Sequence, residues 1–276
     1  MRILMLSAAT LLATTAPAFA QEEDAFTGVY VGGTFGYSVQ NNDPDETIRF
    51  DRDLNGTFGD TVVTAAAGSP NAFSPGFCGG RANTNAPAGG CENDRDNVEY
   101  SVRAGFDQQY GSWLLGMVVD AGKTNIRDSV SAYSTTPASY SMTRKIDWNA
   151  GLRLRGGYVA GNSTLFYATG GATYAKAEHS FRTTNGANSF TGRGDDGIWG
   201  WTAGGGVETK LSSNLSMGLE YLYTRYNDDD YRVRAGAGTA PASNPFLLAG
   251  AGGTDFRRSD EKFDYHGIRT TLALRF

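Results

Sequence analysis

Charged residues of both signs share one parity along several stretches of this chain. Glu99, Arg103 and Asp107 do so in NVEYSVRAGFDQQ, and Asp120 in SWLLGMVVDAG. Lys145, Asp147, Arg153 and Arg155 do so in RKIDWNAGLRLRGGY. Glu208 lies near the end of IWGWTAGGGVETK, Glu220 lies within NLSMGLEYLYT, and Arg269 and Arg275 lie within HGIRTTLALRF. Alternate residues of a strand point to one face, so each set is a polar strand face. Acids and bases gathered on facing strands can do two things. They can pair into a buried, hydrogen-bonded network, or they can line a narrow path for ions. The residue types leave both open.

Other chemistry is sparse. The segment 1–20 has one basic residue, Arg2, then runs apolar from Ile3 to about Leu12 and closes on Ala18-Phe19-Ala20. It reads as a secretory signal peptide cleaved between Ala20 and Gln21. The apolar run is too short for a spanning helix, which needs about 20 residues. Cys78 and Cys91 are the two cysteines, and an exported chain with such a pair favours a disulfide over free thiols. No histidine lies near them, so no metal centre is expected. His179 precedes Ser180, but neighbours in a strand face opposite ways, and spacing supplies no orienting carboxylate. Neither a catalytic residue nor a cofactor is therefore expected. The run Asn227 to Asp230 is only loosely like a calcium-ligand cluster and reads as a solvated acidic loop.

The elements that must carry the charges are strands. Eight segments alternate with period two. In the first, TGVYVGGTFGYSV, Val29, Val31, Phe35, Tyr37 and Val39 oppose a glycine-rich face. In the last, Ile268, Leu272, Leu274 and Phe276 share a parity opposite Arg269 and Arg275. LFYATGGATY, the fifth, carries aromatics on both faces and gives no clear sidedness. Segments of about 10–13 residues exceed the usual soluble strand of about 5–6 and match a tilted bilayer crossing. Long connections (about 40–96, 124–143, 178–197 and 227–262) alternate with short turns at Tyr110-Gly111, Gly161-Asn162 and Ser212 to Asn214. A soluble sandwich has no reason to alternate this way. An even-stranded transmembrane barrel does, with long outer loops and short periplasmic turns. Its apolar face meets lipid and its polar face fills the interior. The fold class expected is all-β: an eight-stranded antiparallel barrel over residues 21–276. Without Arg2 the mature chain has 23 basic against 29 acidic residues, a net charge near −6, which argues against nucleic acid as a partner.

The stretch GWTAGGGVETKLSSNLSMGLEYLYTRY, residues 200–226, resembles the sixth and seventh strands of small outer-membrane β-barrel proteins of Gram-negative bacteria, the porin-family or outer-membrane immunogenic proteins. Glu208 and Glu220 fall on the two glutamates of that pattern. TGVYVGGTFGYS is similar to the family's opening strand, and LFYATGGATY to its fifth. The resemblance implies residence in the outer membrane, contact with its lipid and lipopolysaccharide, and insertion by the outer-membrane assembly machinery, with Phe276 as part of the insertion signal. Arg257 and Arg258 are candidate contacts for lipopolysaccharide phosphates, although an ordinary exposed pair is the plainer expectation. The expected role is structural, in envelope integrity and surface contacts, without enzymatic activity. The alternatives are a low-conductance pore and a loop-borne adhesin or ligand site, haem being one ligand implied by the resemblance. The first long loop, rich in Gly, Ala, Asn, Asp and Pro, reads as a flexible outer shield.

Overall fold

A computed structural model describes residues 25–40, 43–161 and 163–276. The expected signal segment and its cleavage site at Ala20 and Gln21 lie outside the described residues. Eight long strands form the body: β1 (Gly28–Val39), β2 (Asn97–Tyr110), β3 (Trp113–Lys123), β4 (Ala138–Ala160), β5 (Thr164–Thr183), β6 (Gly197–Lys210), β7 (Leu215–Asn227) and β8 (Lys262–Arg275). Each pairs antiparallel with the next, and β1 pairs with β8, from Tyr30 opposite Arg275 to Val39 opposite His266. The sheet therefore closes, which leaves no barrel strand with an unpaired backbone edge inside a bilayer. Gly111 and Gly161 take φ of +59° and +58° at two of the tight turns, a conformation that side chains with a Cβ resist.

The two faces of the wall are inverted relative to a soluble protein. Phe35 is 65% exposed, Val102 70% and Leu154 66%, whereas Arg153 is 1% and Glu220 0% exposed. Only a lipid environment makes an apolar outside over a charged inside favourable. Aromatic rings mark its two limits. Trp113 and Tyr158 meet edge to face at 5.6 Å near the short turns. Trp148, Tyr174 and Trp199 form a chain at 5.7 and 5.1 Å near the other end. Trp148 and Tyr158 lie ten residues apart on β4. At about 3.3 Å per residue and a tilt near 40°, that spans about 25 Å, the height of an outer-membrane apolar band.

Beyond the outer ring of aromatics, β4 and β5 continue well past the expected strand ends, and the loops fold over them. Short strands at Ser189–Arg193, Arg232–Gly236, Thr254–Arg258 and Ile48–Asp51 pair in that order into a second sheet. It packs on the outer ends of β4 and β5 and on the strand Arg127–Ser134. Between them lies an apolar core that includes Ile48, Phe50, Phe73, Tyr140, Met142, Val233, Phe246 and Phe256. Phe50 sits 4.4 Å from Phe73 and 5.0 Å from Phe256. The first long loop is therefore not a flexible shield. Its apolar side chains, few and unevenly spaced, enter this core beside those of the other connections and of β4. Cys78 and Cys91 are joined as a disulfide, their Cα atoms 6.6 Å apart, beside the hydroxyl of Tyr133.

Candidate functional site

The polar faces of the eight strands converge on the barrel axis in two tiers of ions. In the tier nearer the short turns, Arg155 grips Asp107 with two N–H groups and reaches Glu208 at 2.9 Å. Arg275 bridges the same two acids at 2.8 Å each. Tyr30 and Tyr167 cover the Arg155 guanidinium at 5.0 and 4.9 Å, positions that favour cation–π attraction. Below this tier Phe26, Leu114, Val159 and Leu165 make an apolar floor. Glycines on the inward face make room for these long side chains. A Cβ on Gly206 would lie 2.8 Å from the Tyr167 hydroxyl, and one on Gly36 2.6 Å from Cβ of Arg269.

The second tier centres on Glu220. Its carboxylate accepts from Arg269 at 2.7 Å, from Arg153 at 3.2 Å, from Arg103 at 3.5 Å and from the Tyr167 hydroxyl at 2.9 Å. Asp120 accepts from Arg153 and Arg269 at 2.8 and 2.9 Å. Above it a polar cavity of about 30 Å³, lined by Glu99, Asn149, Thr173 and Tyr265 among others, has room for about two waters. Glu99 accepts from the Ser38 hydroxyl at 2.8 Å beside it. Further out, Ile126, Ile146, Ile198, Tyr226, Phe263 and Tyr265 form a buried apolar cluster, of which Tyr265 also lines the cavity.

A third set of ions joins barrel to cap. Arg258 holds Glu46 through two bonds, at 2.8 and 2.5 Å, and Asp128 at 2.6 Å. Arg144 holds Asp128 at 2.6 Å and Asp228 at 3.4 Å, with its guanidinium 5.0 Å from the Phe263 ring. His179 Nε2 lies 2.9 Å from Asp228, and its ring stacks on Tyr231 at 4.5 Å. Asp94 accepts from the Ser129 backbone at 2.8 Å in the same region. Buried carboxylates outnumber guanidiniums here, so not all of them ionise readily. Burial pushes Glu46 up to about 7, Arg258 opposing and Asp128 adding to it. Burial, with Asp128 next to it, pushes Asp94 up to about 7 as well. Asp128 and Asp228 go the other way. Burial raises both, but Arg144 and Arg258 outweigh it at Asp128, and His179 and Arg144 at Asp228.

These shifts set a pH window for the cap. The stability that comes with the raised pKa values of Glu46 and Asp94 is full below their ordinary 4.5 and 3.8, and is lost as pH rises through about 7. The stability from Asp128 and Asp228 is present above the ordinary 3.8 and lost as pH falls through their lowered values. Cap docking is therefore expected to be tightest near pH 4, to loosen as pH rises to about 7 and to change little beyond it. Amide exchange of residues 48–51 and 254–258 in the folded barrel measures it. Protection that increased steadily from pH 6 to pH 9, after correction for intrinsic exchange, would contradict the assignment.

Residues 6–235 match the family described as outer membrane protein beta-barrel domain. The chain belongs to that family. It is similar to a 31 kDa outer-membrane immunogenic protein of Brucella melitensis, at 27% identity over 63% of this chain and 65% of that one. The chain thus spans slightly under two thirds of that relative's length. It is also similar to a 22 kDa outer membrane protein of Rhizobium leguminosarum bv. viciae, at 29% identity over 62% of this chain and 71% of that one. Among solved structures, the outer membrane protein OprG of Pseudomonas aeruginosa superposes with a TM-score of 0.51 at 13% identity, covering 91% of this chain and 97% of that one. That likeness concerns the fold.

Within this outer-membrane barrel, the structure brings together Arg103, Asp107, Asp120, Arg153, Arg155, Glu208, Glu220, Arg269 and Arg275, and sets Glu99 on the cavity above them. Asp147 does not join. A bulge in β4, where the pairing with β5 shifts between Lys176 and Ala177, inserts it as an extra residue. Below the bulge Arg153 and Arg155 point inward; above it Ile146, Arg144, Met142 and Tyr140 do. Asp147 instead meets Lys123 at 3.6 Å, half-exposed, and Lys145 meets Glu178 at 3.5 Å near the surface. Ile146, expected on the lipid side, is buried for the same reason.

Other corrections concern the outer end. Arg258 is neither an exposed residue nor a lipopolysaccharide contact, because it is buried between Glu46 and Asp128. Arg257 pairs with Glu261 at 2.8 Å and lies over the Phe58 ring at 4.5 Å. Asp228 is buried, unlike the exposed Asp229 and Asp230, so the acidic run is solvated only in part. It gives His179 the orienting carboxylate that spacing did not suggest. The His179 side chain is 3% exposed, under Tyr231, where a substrate has no access. The residues missed in the sequence are Glu46, Asp94, Asp128 and Arg144. They lie in three separate segments with no shared period, so no local signal links them.

Proposed function

We propose that this barrel is a non-conducting, non-enzymatic protein of the outer membrane that contributes to envelope integrity and presents its folded cap as a contact surface. The observation that carries the reading is the filled lumen. Two tiers of paired ions lie between an apolar floor and an apolar layer beneath the cap, and the interior cavity has a volume of about 30 Å³. A solute path would require several arginines to leave their carboxylates in a low-dielectric interior, a step that is expensive. Purified folded barrel added to a planar bilayer should give a flat current trace. Reproducible unitary steps would overturn the reading in favour of the low-conductance pore.

The same reading has the chain exported through a signal peptide cleaved after Ala20, inserted by the assembly machinery and surrounded by lipid and lipopolysaccharide. Phe276 follows the closing strand, 78% exposed, with its backbone N–H donating to Val29 at 2.9 Å. Replacing it with alanine should reduce inserted, heat-modifiable barrel several-fold while leaving export unchanged. Equal amounts of inserted wild-type and F276A barrel would remove Phe276 from the insertion signal.

A further inference from the structure

One nitrogen of His179 takes no part in the ions at the junction. Nε2 lies 2.9 and 3.1 Å from the two oxygens of Asp228, which Arg144 holds in turn at 3.4 Å. An ionised carboxylate only accepts, so Nε2 carries the proton and, in the neutral ring, Nδ1 carries a lone pair. Nδ1 is buried and has no hydrogen-bond partner among the described residues. It faces a second acceptor instead, Oδ1 of Asp196, at 3.9 Å. Two electron-rich atoms set against each other, too far apart for a hydrogen bond, are unfavourable unless a cation lies between them.

The ring is fixed and the carboxylate is free to move. Tyr231 stacks on the ring at 4.5 Å, and Ala177 N–H donates to the Asp196 carbonyl at 2.7 Å. The Asp196 side chain is 61% exposed against 3% for His179. The approach to Nδ1 is therefore along the ring edge, past Asp196, and not through the face that Tyr231 covers. An ion bound at about 2.0 Å from an imidazole nitrogen and about 2.1 Å from a carboxylate oxygen, at a tetrahedral angle, sets those atoms about 3.4 Å apart. From 3.9 Å, closing to that distance takes only a small swing of an exposed side chain.

A carboxylate behind the other nitrogen is the usual setting of a metal-bound histidine, because it fixes the tautomer and the ring orientation. Imidazole beside a carboxylate favours zinc and similar ions over calcium and magnesium, which take oxygen ligands. We propose that His179 Nδ1 and Asp196 bind a divalent transition-metal ion of the zinc class, with Asp228 orienting the histidine. Gly194 packs against the backbone of Asp230 and Tyr231, where a Cβ would approach to 3.0 and 2.8 Å. The exposed carboxylates of Asp195 and Asp230 thus adjoin the site and, with water, complete the coordination. The ion ties β5 to the segment entering β6 just beyond Lys176 opposite Gly197, where the pairing of those two strands ends.

The test is calorimetric titration of zinc alone into the whole folded barrel in detergent, for wild type, D196N, H179Q and H266Q. His266 is the only other histidine, and its Nδ1 is held by the Tyr221 hydroxyl at 2.7 Å. The expected result is one zinc per chain at micromolar affinity, unchanged in H266Q and by excess calcium, and weakened at least tenfold in D196N and H179Q. D196N alters an exposed group and keeps the backbone bond to Ala177, so it decides the matter if H179Q loses heat-modifiable migration. No saturable binding, equal binding by D196N, or loss in H266Q alone would each overturn the assignment. None of these outcomes depends on whether the barrel conducts.

Discussion

Glu220→Gln should destabilise this barrel more than any other single change in its wall, by about 3–5 kcal/mol. Gln keeps the size of the side chain and removes the charge that three guanidiniums share. Arg103, Arg153 and Arg269 would then face Asp120 as the one ion-paired carboxylate of their tier, and all three are buried. Breaking one partner of a buried set costs far more than the set contributes, because the remaining charges cannot reach water. The measurement is the urea unfolding midpoint of the barrel in lipid vesicles, with gel migration of boiled and unboiled samples as a second readout. Adding Arg103→Met, which removes the guanidinium with the longest contact, 3.5 Å, should recover part of the loss. Lys123→Ala, at a half-exposed pair 3.6 Å long, should change the midpoint by less than about 1 kcal/mol. A loss at Glu220 no greater than the loss at Lys123 would mean that the lumen is hydrated enough to solvate the arginines.

Arg258→Ala is expected to release the cap and spare the barrel. The side chain is bonded to Glu46 and Asp128 and donates to the backbone oxygens of Asp128 and Met142 at 3.2 and 3.4 Å. Its removal leaves two buried carboxylates with one guanidinium, Arg144, between them and Asp228. The cost, again about 3–5 kcal/mol, falls on the contact between the cap sheet and β4. Protease added to intact cells should cut within residues 48–75 and 232–258 in R258A, while the wall strands remain protected and heat-modifiable. Arg258→Lys should rescue little, since one ammonium cannot reproduce the paired bonds to Glu46. A cap equally resistant in wild type and R258A would show that the apolar core alone holds it.

The wall was legible in the sequence because its physics is local. Each crossing strand meets lipid on one side and ions on the other, so period two survives in β1, β2, β3, β6, β7 and β8. β5 blurs because Tyr167 is turned inward to Glu220 while Phe166 faces out. β4 misleads from Asp147 outward because one extra residue reverses the parity, and an isolated bulge leaves no mark in an alternating string. The cap was hidden for a different reason. Phe50, Phe73, Phe246 and Phe256 fill one core from two connections far apart in the chain, and no periodicity connects them. The junction ions were hidden likewise: Arg258 meets Glu46 across 212 residues.

That separation bears on the order of assembly. The sheet in the cap sets Ile48–Asp51 beside Thr254–Arg258, segments that follow β1 and precede β8. Pairing them in an open chain means closing a very long loop, which is entropically unfavourable and slow. Once β1 and β8 zip together, the same two segments are neighbours and the loop to be closed is short. The cap is thus the last part able to form, and its presence reports that the seam below it is shut. An antibody specific for the folded cap would count completed barrels at the cell surface and ignore those stalled during insertion.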